Sequence, residues 1–138
     1  SAKLDDLNSL DRLRTHAKNM ILLDQFLNDF EKLLMQNTKG DESHQNVNIE
    51  LLKHLTSLYL TIHQLLKSLP SNLEFLETKR DKIDSLRYEY IELLDAFLHR
   101  LDRSKDQAEA HTVLSIYAVI NEEKHAAAVL SDLAKNGK

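Results

Sequence analysis

Leu55, Ile62, Leu69, Leu76, Ile83, Tyr90 and Phe97 follow one another at intervals of seven residues, and the only proline of the chain, Pro70, falls inside the series. An apolar phase of this period marks helices packed along a seam. Proline inside a helix withholds one backbone donor and crowds the preceding turn. The series therefore describes either one kinked rod or two helices folded back on each other, and local signals select the second. Ser71-Asn-Leu-Glu74 has the Ser-x-x-Glu form of a capping box, in which the serine hydroxyl accepts from the amide three residues on and the glutamate reaches back to the serine amide. Pro70 disfavours helical geometry at Leu69, which ends the preceding helix near Ser68. Asn72 and Lys79 are also polar where the companion positions of an unbroken seam need apolar residues. A tight antiparallel turn is expected at Pro70.

Turn-forming residues are scarce throughout. The 138 residues contain two glycines and one proline, whereas an all-β fold needs a break at roughly every tenth residue. With 42% hydrophobic residues, a single domain over 1–138 has the material to bury its own core. A formal charge of −4 and a pI near 5.9 give no electrostatic reason to expect nucleic acid or an anionic membrane as partner. The absence of cysteine excludes a disulfide framework, a thiol nucleophile and cysteine-ligated zinc. No apolar run approaches the roughly 18 residues of a membrane-spanning helix, and the first residues have neither signal-peptide nor transit-peptide character. Such a chain is expected in the cytoplasm or nucleus, without membrane insertion.

The three-four spacing of Leu13, Ala17, Met20, Leu23, Leu27, Phe30 and Leu34 predicts a first helix over 4–35. The polar stretch 36–46 follows as a mobile, protease-sensitive loop. A second helix over 48–68 carries Leu51, Leu55, Leu58, Ile62, Leu65 and Leu69, flanked by Leu52, Tyr59 and Leu66. That face is wide enough to touch two neighbours and to form the centre of the core. The third helix, over 72–103, buries Leu76, Ile83, Leu86, Tyr90, Leu93, Phe97 and Leu101. Ser104-Lys-Asp-Gln107 repeats the capping logic and opens a fourth helix over 105–135, through Val113, Leu114, Tyr117, Ile120, Ala127, Leu130 and Ala134. "NEEKH" at 121–125 either bends or breaks it, and Gly137 is a candidate C-cap. The expected fold is all-α, an antiparallel four-helix bundle of up-down-up-down topology with long helices.

Little in this framework suggests catalysis. Di-metal carboxylate bundles use two Glu-x-x-His motifs, and the chain offers one, Glu122-Glu-Lys-His125; Glu50 with His54 and Asp95 with His99 are spaced by four. The seven histidines are scattered with no His-Glu-x-x-His. Arg12 with His16 and Arg103 with His111 do not fit the Arg–His spacing of helical ribonucleases. Gly40 and Gly137, far apart, exclude glycine-rich phosphate loops and nucleophile elbows. No catalytic, cofactor-binding or metal-ligating residue is assigned.

Binding surfaces are better marked. Asp84, Tyr88, Ile91, Asp95, Leu98 and Asp102 form a second stripe on the third helix, spaced four-three-four-three-four and offset by roughly 100° from its core seam. One reading is a groove for a partner helix or peptide, anchored by Tyr88, Ile91 and Leu98 with the aspartates fixing register. The other is that Ile91 and Leu98 are the edge of the core face. Leu7, Leu10, Phe26, Leu33 and Met35 pose the same choice on the first helix, whose N-terminal part is expected to overhang the second and to offer a homodimer surface if its leucines are not core.

"LPSNLEFLETKRDK" followed by "AFLHRLD" resembles the last helices of BAG-type co-chaperones, in which charged residues on two helices grip the nucleotide-binding domain of a heat-shock chaperone. The resemblance covers under a third of the chain, rests on common helix formers and transfers no residue. The expected function is that of a non-enzymatic protein–protein interaction module, an adaptor, scaffold or regulatory subunit binding a partner helix or peptide. The alternatives are a self-associating structural bundle, a co-chaperone-type module and, last, a metal-carboxylate enzyme.

Overall fold

The computed structural model describes residues 2–37, 47–102, 104–120 and 123–135. Every regular element among them is helical: α1 (Ala2–Gln36), α2 (Ile49–Ser68), α3 (Glu74–Arg100), α4 (Gln107–Val119) and α5 (Glu123–Lys135). The all-α class holds. The described residues form five helices instead of the expected four, because the segment expected as one fourth helix is divided between α4 and α5. The expected loop over 36–46 and the Gly137 cap lie almost wholly outside the described residues.

Caps account for most of the boundaries. Asn48 precedes α2, and its Oδ1 accepts from the Leu51 amide at 2.9 Å. At the other end Leu69 turns to extended geometry (φ −101°, ψ 146°), as the following proline requires. The turn at Pro70 is therefore present, but the capping box after it is not. The Leu73 amide donates to the Pro70 carbonyl at 3.3 Å, which holds Ser71 and Asn72 in a turn, and α3 begins at Glu74 with no side-chain cap. The second box fails for a related reason. The Ser104 amide and hydroxyl donate to Asp102 Oδ1 at 2.9 and 2.7 Å, so the serine closes the preceding loop and α4 starts at Gln107. Asp102 is thereby consumed in a turn, and α3 ends at Arg100, earlier than expected.

α2 returns along the C-terminal half of α1: Asn19 Nδ2 donates to Ser68 Oγ at 3.0 Å, and the Phe30 and Tyr59 rings lie 6.4 Å apart. α3 runs in the same direction as α1, with Lys79 2.7 Å from Asp24 and Lys82 3.3 Å from Glu31. Where α2 faces α3 the contact is made by large side chains. Tyr59 and Tyr90 stack at 5.1 Å, and Phe30 meets Tyr90 edge-on at 5.5 Å. α4 reaches α3 through Tyr117, whose hydroxyl donates to Asp95. α5 is held by buried Leu133 and by His99 Nε2, 3.4 Å from Asp132.

Leu23, Leu27, Phe30, Leu34, Leu52, Leu55, Tyr90, Leu93, Phe97, Val113 and Tyr117 are buried as one cluster. Each contributes on the order of 1.5–3 kcal/mol by leaving water. Two expectations about the core fail. Leu13 and Ala17 are exposed, because on a 3.6-residue helix they stand about 60° and 100° off the face that Leu34, Phe30, Leu27 and Leu23 bury. Ala127, Leu130 and Ala134 are exposed and Leu133 is buried, because the interruption after Val119 resets the helical phase. Of the two readings of Leu98, groove anchor or edge of the core face, its burial agrees with the second.

Candidate functional site

Among the described residues α4 is the shortest of the helices that meet both α2 and α3. α4 has 13 residues, and its end, at Val119 and Ile120, lies level with Ile62 and Leu66 of α2 and Ile83 of α3. Beyond that level α2 continues to Ser68 and α3 extends back to Glu74. A cavity of about 360 Å³ opens between them. Leu27 and Phe30 of α1 form its floor, Ile62 and Leu66 one wall, and Ile83 and Leu86 the other.

Among its lining residues Tyr59, His63 and Arg87 are the polar ones. Arg87 Nε donates to the Tyr59 hydroxyl at 3.0 Å, tying α3 to α2 beside the cavity, while His63 stays exposed at the mouth. The chemistry on offer is that of an apolar receptacle with a cationic edge. It suits aliphatic or aromatic side chains better than a reacting group, since no nucleophile is paired with a base there. Leu65, Leu66, Leu73, Phe75 and Leu76, around the uncovered ends of α2 and α3, are half-buried, which leaves apolar surface next to the cavity.

The fold divides the α3 stripe. Asp84 and Tyr88 are exposed, Ile91 and Asp95 are half-buried, Leu98 is buried and Asp102 is exposed. Hydrogen bonding to Glu92, reinforced by its charge, pushes the Tyr88 hydroxyl above its usual pKa. Asp95 accepts from Tyr117, and burial together with this bond pushes the Tyr117 hydroxyl up. Asp102 is held below the usual carboxylate range by its bonds from Ser104. Of the six residues, Asp84 and Tyr88 share an open surface; Asp95 and Leu98 serve the contact with neighbouring helices.

Among the described residues no group of three or more His, Asp or Glu side chains is placed to hold a metal. Glu122 and the side chains of Glu123 to His125 lie outside the described residues. No described helix is long and apolar enough to cross a membrane. The cavity itself was not anticipated from the sequence, although the polar interruption at 121–125 was its signal: a fourth helix that stops early uncovers what it would have packed against. Protein-family models, curated proteins and solved structures were compared with the chain, and none matches it.

Proposed function

We propose that the chain is a non-enzymatic protein–protein interaction module, an adaptor, scaffold or regulatory subunit, that receives an amphipathic partner helix along the uncovered half of the α2–α3 face. The observation that carries this reading is the cavity of about 360 Å³ beyond the end of α4. In a bundle each column buries its neighbours' apolar faces, so a column that stops halfway leaves a helix-shaped vacancy. A partner helix placed there inserts one or two apolar side chains between Ile62 and Ile83 and sets an acidic residue near Arg87. The antiparallel four-helix bundle expected from the sequence is, in this reading, completed in trans. Asp84 and Tyr88, exposed farther round α3, contribute to the rim.

The test places a photo-crosslinking amino acid at His63, at the cavity mouth, and identifies captured peptides from cell lysate by mass spectrometry. Leu66→Glu and Ile83→Glu variants, checked for helical content, are run alongside. Captured segments with apolar residues at three-four spacing, lost in both folded variants, support the reading. The same set of segments captured by wild type and variants overturns it.

A further inference from the structure

The buried seam of α1 does not continue into its N-terminal half. Traced back from Leu34 through Phe30, Leu27, Leu23 and Met20 in steps of three and four, the same face arrives at His16, Arg12, Ser9 and Asp5, all polar. The apolar residues of this half lie elsewhere. Leu7, Leu10, Leu13, Ala17 and Ile21 fall within an arc of about 120°, which Lys3, Asp6 and Arg14 share, turned about 120° from the core face on a 3.6-residue helix. Leu7, Leu10, Leu13 and Ile21 are 55%, 50%, 64% and 60% exposed. The helix is amphipathic in two directions, and packing within the chain satisfies one of them. A helical stretch of this length is marginal in water without tertiary support, and an arc of this width is what a helix presents to another helix.

Charge names the occupant. Residues 2–11 carry Asp5, Asp6 and Asp11 against Lys3, whereas residues 12–18 carry Arg12, Arg14 and Lys18 with no acid. The helix dipole accounts for acids in the first turns but not for a basic block in mid-helix. Asp11, Arg12, Arg14 and Lys18 form no ion pair with another described residue. We propose that the face is covered by a second copy of this chain, its α1 running antiparallel to the first. Parallel pairing sets Asp11 against Asp11 and Arg14 against Arg14. Antiparallel pairing about a two-fold axis near Arg12 sets Leu7 against Ala17 and Leu10 against Leu13. It also places Asp11, at the edge of the face, beside Arg14, which stands in the row between Leu10 and Ala17, and symmetry makes every contact twice. The surface is separate from the α2–α3 cavity, so the two proposals stand or fall independently.

Sedimentation velocity on the whole chain, from low micromolar to about 1 mM, reads the outcome. A monomer–dimer equilibrium is expected, abolished by Leu10→Asp. Asp11→Arg and Arg14→Asp each turn both of these charge contacts repulsive and weaken the dimer by about tenfold or more. The double variant Asp11→Arg/Arg14→Asp restores it, because the exchanged charges still meet across an antiparallel pair. These residues are exposed, so circular dichroism and thermal midpoints of the dilute variants match wild type. A chain that stays monomeric throughout overturns the proposal. So does a dimer indifferent to Leu10→Asp or to the single charge reversals, or a double variant no more dimeric than the singles.

Discussion

Tyr90 and Thr56 meet hydroxyl to hydroxyl at 2.6 Å in the interior, and Thr56 Oγ1 donates to the Leu52 carbonyl at 2.7 Å. Threonine has one hydroxyl hydrogen, so Tyr90 is the donor in the bond between them. The relay joins α3 to α2 with each proton used once, and burial keeps the phenol neutral by pushing its pKa up.

The two ends of this relay are not equivalent. Thr56→Val strands the buried Tyr90 hydroxyl and costs about 1–3 kcal/mol, whereas Tyr90→Phe leaves Thr56 its carbonyl partner and costs about 0.5–1.5 kcal/mol. The double variant loses less than the sum. Urea unfolding of the four proteins measures the cycle, and strict additivity would contradict the relay.

Leu98 and Tyr88 separate in the same way along α3. Leu98→Asp puts a carboxylate where 4% of the residue is exposed, and the expected loss of about 3 kcal/mol or more should be visible as lost cooperativity or a collapsed thermal midpoint. Tyr88→Ala, on the open surface, should stay within about 0.5 kcal/mol of wild type. Equal effects of the two would mean that Leu98 is no more buried than Tyr88.

Lys79, hydrogen-bonded to Asp24, holds that carboxyl below its ordinary pKa of 3.8. A carboxyl depressed in the folded state adds stability above the ordinary value, and the gain disappears as pH falls through the lower, folded one. Asp24→Asn should therefore be slightly less stable than wild type near neutrality, by under about 1 kcal/mol because the pair is partly solvated. The denaturation midpoints of the two should converge on acidification through and below the ordinary carboxylate range. A gap that widened in acid would rule the ion pair out as its source.

Ile62 lines the cavity and is itself buried. Ile62→Ala enlarges an existing void that its walls do not close, and should cost about 2–5 kcal/mol by thermal or chemical unfolding. A loss well below that range would mean that the α2–α3 walls collapse inward.

What could be read from residues alone follows the range of the forces involved. The seven-residue phase from Leu55 to Phe97 located the centre of the core, and Pro70 located the turn, because periodicity and proline sterics act within a few residues. The capping boxes at Ser71 and Ser104 were misread because each serine lies in a turn whose hydrogen bonds, to Pro70 and to Asp102, are set before the helix begins. Leu13 was misassigned because a leucine that continues a three-four rhythm cannot reveal that the rhythm has drifted off the core face. Leu98 is ambiguous in the sequence because a leucine at the edge of a helix face is buried or open according to what packs beside it. The cavity depends on three helices and the end of a fourth, a relation that no local spacing encodes.

The two-sided character of α1 makes its backbone a gauge of cooperativity. Amides near Leu23 to Leu34 open only when the core does, whereas those before His16 are free to fray from the end, so hydrogen-exchange protection should descend along one unbroken helix. The position of that descent is set by where side-chain contact stops, not by where the helix stops. A boundary of this kind moves without any change of secondary structure, and a partner engaging the N-terminal half would register as a slow zone lengthening toward residue 2.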